Sequence, residues 1–237
     1  MSRAPLLLST LLVAACSGAP IEEPADPAED ATLAEPDNVI APTDFASLTL
    51  GGTIQGPVGP EVEASLSADG VAIADIASRV QCPDGVDPCD PDTAEDGTIY
   101  TYIYEVRPGF DGPNDPPFEL PETVRPIESA SSFALGFPAY GFTGVAGYSV
   151  YDADEVLAEG FVGSISCVDN QITWSFPEES GWSTGETITF FWQTTQPPTG
   201  PDGEYRFVGD ELEATGPGPL PAEGGEIAAV CDTAPSG

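Results

Sequence analysis

From Asp44 onward the chain alternates apolar and polar residues with a period of two. Ala46, Leu48, Leu50 and Ile54 fall on one face, and Ser47, Thr49 and Thr53 on the other. Val62, Ala64 and Leu66 alternate with Glu61, Glu63 and Ser65. Similar runs at 71–76, 98–106, 144–151, 160–168, 171–176, 186–194, 204–208 and 226–231 predict further strands. In two of them the alternation is clean: Ile172, Trp174 and Phe176 share a face, as do Ile188, Phe190 and Trp192. Residues i, i+2 and i+4 point to one side of a strand, so each run offers a core face and a Thr/Ser/Gln face. Gly and Pro, 26 of each, punctuate the runs. Only residues 33–40 and 154–159 suit even a turn of helix. Many short strands separated by turn signals predict an all-β fold, here an antiparallel β-sandwich over residues 44–237. The Pro-rich stretch 108–126 is the one place for an internal boundary.

The chain before Asp44 follows a different pattern. Arg3 carries a positive charge, and Leu6 to Ala15 is apolar apart from Ser9 and Thr10. That run is too short to span a bilayer, which takes about 20 apolar residues as a helix. A charge, a short apolar core and small residues before a cut site describe a signal peptide over residues 1–15. The end of the run, Val13-Ala14-Ala15-Cys16, resembles the lipobox of bacterial lipoproteins. The resemblance covers residues 1–16. It implies that the Cys16 sulfur receives a diacylglycerol, that the chain is cut before Cys16, and that the new amine is acylated. An ordinary signal cut near Ala15 or Ala19 would instead leave Cys16 a plain thiol. One acyl chain holds a protein to a membrane only marginally, whereas several anchor it stably. The uncharged Ser17 implies sorting to the outer membrane in a bacterium with two membranes. Residues 16–43 then read as a disordered tether: from Ser17 to Thr43 there are seven acidic residues, five prolines and no basic residue.

Composition narrows the chemistry. The whole chain has 40 acidic and five basic residues, a net charge of −35, with no histidine; all five basic residues are arginines. Such a field repels phosphate backbones, so no nucleic-acid partner is expected. It favours cations and basic partners and would keep a crowded surface protein soluble; the competing reading is that the acidity reflects a saline habitat or host composition. Without histidine there is no Ser-His-Asp or Cys-His catalysis and no His-ligated metal, and without lysine no Schiff base. Hydrolysis of glycosides by a carboxylate pair survives this filter. With Cys16 set aside, Cys82, Cys89, Cys167 and Cys231 form an even set, which in an exported chain reads as two disulfides with three possible pairings. The short Pro/Gly/Asp loop favours Cys82–Cys89, leaving Cys167–Cys231.

Three places could carry chemistry. In Cys82–Asp96 six acidic residues crowd together, with Asp84, Asp87, Asp90 and Asp92 as candidate calcium ligands. Ca²⁺ takes six to eight oxygens, which carboxylates and loop carbonyls can supply. The loop is similar in part to the Asp-rich loops of thrombospondin type 3 repeats, which implies calcium as the candidate cofactor. The competing reading is a solvated acidic turn stapled by its disulfide. Second, Tyr100, Tyr102 and Tyr104 share one face of a strand, opposite Ile99 and Ile103. If the isoleucines face the core, the tyrosines form an outward row able to stack on sugar rings. If the tyrosines are the core face, they are not available. Trp182 is a further candidate contact, or else the plug of a sandwich end. Third, Asp152, Asp154, Glu155 and Glu159 could include a catalytic carboxylate, provided a second lies at the required separation.

Together these features predict a lipid-anchored protein of the bacterial cell envelope carrying a non-catalytic β-sandwich with a binding or structural role. Its expected partners are the membrane, through the lipid, and a glycan or a basic protein. A carbohydrate-binding module, calcium-assisted or not, is the alternative, and a carboxylate-based glycan hydrolase ranks third.

Overall fold

The computed structural model describes residues 38–54, 62–121, 123–159 and 162–231. The expected signal peptide, Cys16 and the expected tether up to residue 37 lie outside them. The described residues belong to one compact unit. Its strands are β1 (Val39–Ile40), β2 (Thr43–Asp44), β3 (Leu50–Thr53), β4 (Val62–Ala68), β5 (Val71–Pro83), β6 (Tyr100–Pro108) and β7 (Thr123–Val124). They continue with β8 (Ala130–Leu135), β9 (Phe142–Tyr148), β10 (Ser164–Val168), β11 (Gln171–Ser175), β12 (Ile188–Thr194), β13 (Pro198–Gly209) and β14 (Leu212–Pro221). A short helix, α1 (Val150–Val156), follows β9.

The fold is all-β, as the alternation predicts. Among the described residues the fourteen strands form one sheet, in the order β1-β10-β11-β8-β13-β14-β4-β5-β6-β12-β9-β2, with β3 and β7 added along β5. The expectation of an antiparallel sandwich holds only in part. The pairings of β2 with β9 and of β5 with β7 are parallel. The packing layers are two halves of one curled sheet: the outermost strands β1 and β2 are joined by Ala41 and Pro42 alone, so the two ends of the sheet must meet.

Local sequence explains the hairpins. Asp69-Gly70, Asp169-Asn170 and Asp210-Glu211 each connect adjacent strands and have positive φ at both positions. That is the turn geometry whose twist matches two-residue hairpins, and Asp, Asn and Gly tolerate it best. β14 contains Pro217, Pro219 and Pro221 and reads as a loop. It persists as a strand because its far edge pairs with β4 only at Thr215–Ser67. Beyond that point the missing proline N–H groups break no second ladder. Ser149, whose side chain accepts from the Asp152 amide, caps α1 and ends the predicted strand 144–151 at Tyr148. The predicted strand 226–231 is absent; Ala229–Cys231 is a single 3-10 turn.

The core is aromatic. Phe133 on β8 meets Phe190 on β12 at 5.3 Å and Tyr104 on β6 at 5.4 Å, across the two halves of the sheet. A buried hydrogen-bonded chain crosses the same interior. The Trp192 indole N–H donates to the Tyr104 hydroxyl at 2.8 Å, and Tyr104 and Tyr205 hydroxyls lie 2.9 Å apart. Tyr205 in turn donates to the Pro219 carbonyl. An indole can only donate and a carbonyl can only accept, so the direction is fixed: Tyr104 donates to Tyr205.

The seam between the sheet's ends is closed by segments from both parts of the chain. β1 pairs with β10 and β2 with β9. The Cys167 amide donates to the Asn38 carbonyl at 2.9 Å. These contacts make residues 38–43 part of the fold rather than the end of a tether. From the other side, Cys231 is disulfide-bonded to Cys167 on β10, and the Ala228 amide donates to the Phe142 carbonyl on β9. Trp174 on β11 reaches across to donate to the Gly147 carbonyl at 2.9 Å. Outside the sheet, Phe45 packs on Phe191 with ring centroids 5.8 Å apart, beside the buried Ile103.

Residues 109–121, within the stretch 108–126 expected as a possible boundary, form a strap over the outer face of β4 and β5. The Gly109 amide donates to the Ile73 carbonyl, and β7 returns alongside Val71 and Ala72. Between these ends Asp115 imitates a strand neighbour: its amide donates to the Glu63 carbonyl at 2.9 Å, and its carboxylate accepts from the Glu63 amide at 3.1 Å.

Candidate functional site

The Cys82–Asp96 loop is stapled as the spacing suggests, with Cys82 bonded to Cys89 and both buried. The Gly52 amide, donating to the Val86 carbonyl at 2.9 Å, fastens the loop to β3. Asp84, Asp87, Asp90 and Asp92 are all exposed. Asp90 Oδ1 accepts from the Asp92 amide at 3.0 Å, a local turn. The four do not converge: among the described residues no three acidic, cysteine or histidine side chains are placed to hold one metal ion.

The tyrosine row does not face outward. Tyr100, Tyr102 and Tyr104 are 3, 0 and 0% exposed and line the core face of β6. Tyr102 donates to the Gln196 carbonyl, and burial pushes its phenol, like those of Tyr104 and Tyr205, well above the usual value. Trp182 is likewise fully buried, edge-on to Phe176 and Phe207, with its N–H donated to the Glu186 carbonyl. It plugs the core. None of these four residues is open to a ligand, so the proposed sugar-stacking row is withdrawn.

The acidic set after β9 is divided by α1. Asp154 and Glu159 are exposed, whereas Asp152 and Glu155 line a cleft of about 600 Å³ between the helix and the sheet. Glu105 from β6 and Glu186, just before β12, complete its acidic lining, with Thr187 and Thr189 beside them. Each carboxylate has a partner of its own. Glu105 accepts from the Arg79 guanidinium at 2.7 Å, and Asp152 accepts from the Thr189 amide at 3.1 Å. Glu155 accepts from the Tyr151 hydroxyl at 2.7 Å, which raises that phenol's pKa. Glu186 accepts from the Ser183 amide and hydroxyl. Each of the four carboxylates is thus engaged by a hydrogen-bond donor of the domain itself.

A larger open groove, about 930 Å³, lies at the seam between Gly141–Thr143 of the β9 end and Gly225–Ala229. Phe142, Thr195, Glu226 and Ile227 are among its lining residues.

A second polar site escaped the sequence reading. Asp75, on the outer face of β5, lies under the strap with Oδ1 buried and without a hydrogen-bond partner. Burial, assisted by the negative charges of Asp111 and Glu63, pushes its carboxyl up to about 6; the Gly112 backbone and Arg107 pull the other way. Nothing in the alternating VAIADIA run signals that this outward position is covered.

A scan against protein-family models found no match, and searches of curated proteins and of solved structures each returned no significant match.

Proposed function

We propose that the chain is a lipid-anchored protein of the bacterial cell envelope, held through Cys16, whose disulfide-locked β domain is a non-catalytic binding or structural unit. The observation that carries the reading is Val13-Ala14-Ala15-Cys16 at the end of a ten-residue apolar run behind Arg3. Two paired cysteine sets in the domain fit an oxidising compartment. The lack of histidine and lysine, and the engagement of each carboxylate in the acidic cleft, support a binding rather than a catalytic role. A basic protein partner fits that cleft and the net charge. The anchoring is tested by growing cells that express the full chain with radiolabelled palmitate. Label enters the wild type and is absent from Cys16→Ser. An unlabelled wild type, beside a labelled control lipoprotein, overturns the reading.

A further inference from the structure

The strap and the residues beneath it form a closed polar layer on the outside of the sheet. The Ser65 hydroxyl on β4 donates to Asp111, and the Asn114 amide donates back to Ser65 at 2.9 Å and to the Glu119 carbonyl. Asp115 clips the Glu63 backbone. Asp75 stands directly across from Ser65 on one side and Arg107 on the other in the strand register. A side-chain atom placed on Gly112 would lie 3.1 Å from Asp75 Oδ2, so the strap passes in contact with this carboxyl. The charged groups acting on Asp75 are Glu63 from β4, Arg107 from β6 and Asp111 from the strap. Arg107 is shared: its guanidinium donates to the Gly185 carbonyl and stacks 3.8 Å from the Phe110 ring. Ionised Asp75 therefore faces two carboxylates and keeps a buried, unpartnered Oδ1, against which stand the Gly112 backbone hydrogen bond and one partly committed cation.

We propose that residues 109–121 are a pH-governed latch, closed over β4 and β5 when Asp75 is protonated and loosened when Asp75 is ionised. The protonated carboxyl removes the repulsion from Asp111 and Glu63 and the cost of burying a charge. Opening exposes Asp75 and Ser65, which with the already exposed Glu63 make a polar strip of the sheet.

The sign follows from linkage. The closed state holds the Asp75 carboxyl at about 6, against an ordinary value of 3.8. The closed state therefore binds the proton more tightly, and closure strengthens as pH falls through about 6. If the open state takes the ordinary value, the closing equilibrium is up to about tenfold more favourable at pH 5.0 than at pH 7.5.

Amide hydrogen exchange on the full chain tests this, read as protection relative to the intrinsic rate at each pH. The reporter is the Asp115 amide, bonded to Glu63. The Ser149 amide, bonded to Thr189 away from the strap, is the reference. Asp115 protection is expected to rise up to about tenfold from pH 7.5 to 5.0, the rise setting in near pH 6, over an unchanged Ser149. Asp75→Asn should hold Asp115 protection constant across that range. A flat wild-type profile, or a pH dependence that persists in Asp75→Asn, overturns the proposal. Should Asp75→Asn lose Asp115 protection at both pH values, Asp111→Asn decides. Removing that negative charge moves the onset of the rise to lower pH if the latch works as described, and an unmoved onset overturns it.

Discussion

Tyr104→Phe isolates the hydrogen-bonded chain through the core. The ring keeps its contacts with Tyr205, at 4.8 Å between centroids, and with Phe133, so only the hydroxyl is removed. Two hydrogen bonds vanish, from Trp192 and to Tyr205. The Trp192 N–H is left buried with no acceptor, which costs about 1–3 kcal/mol. With the lost bond to Tyr205 the expected destabilisation is about 2–3 kcal/mol. Tyr205→Phe also breaks two bonds, stranding the Tyr104 hydroxyl and the Pro219 carbonyl. The double variant breaks three bonds rather than four, so its cost should fall short of the sum of the two by about 1 kcal/mol. Urea unfolding of the full chain, followed by tryptophan fluorescence, measures all three. With a slope of about 2.5 kcal/mol per molar, the single variants should move the midpoint down by about 1 M. Midpoint shifts under about 0.2 M for Tyr104→Phe, or full additivity in the double variant, would refute a continuous chain from indole to carbonyl.

The two disulfides should differ in weight. Cys167–Cys231 closes a loop of separation 64 and Cys82–Cys89 one of 7. Chain entropy puts their removal, as paired Ala substitutions, at about 4 and about 2.5 kcal/mol; chemical denaturation giving the reverse order would show that loop length does not govern their effect. Gly147→Ala would place its Cβ 1.8 Å from the Thr43 carbonyl oxygen and 2.6 Å from the Phe191 ring. It should displace β2 and cost about 2 kcal/mol or more, and an unchanged urea midpoint would refute the close packing of β2 on β9.

Much of the strand content was legible because one face of most strands meets the core and the other meets water. The same rule is silent where both faces are covered. Ile103 and Tyr104 alternate on β6, yet both are fully buried; on the outer side Phe45 packs on Phe191, the cross-strand neighbour of Ile103. Alternation divides such a strand into two faces without saying which is inside. β8 was missed because only Ala130, Phe133 and Leu135 carry its inner face, among serines. β14 was missed because its Gly and Pro residues are read as turns. The disulfides were legible from spacing and an even count. The acidic cleft was half legible. Asp152 and Glu155 are neighbours in the chain, but Glu105 and Glu186 arrive from other strands and carry no local signal. Asp75 was illegible for the same reason: the strap that buries it begins some 35 residues later.

The seam also sets an order of assembly. A chain that emerges N-terminus first presents Val39–Asp44 before either strand that they join exists. β1 must wait for Ser166 and β2 for Gly147. Contacts of such long separation slow folding, and until they form the edges of β9 and β10 stay open to other strands. The C-terminal side is later still, since Ala228 and Cys231 seal the same seam. Complete closure therefore cannot precede the synthesis of Cys231. Its covalent lock depends on an oxidant, so a chain held in a reducing compartment would have its seam shut by backbone hydrogen bonds and packing alone.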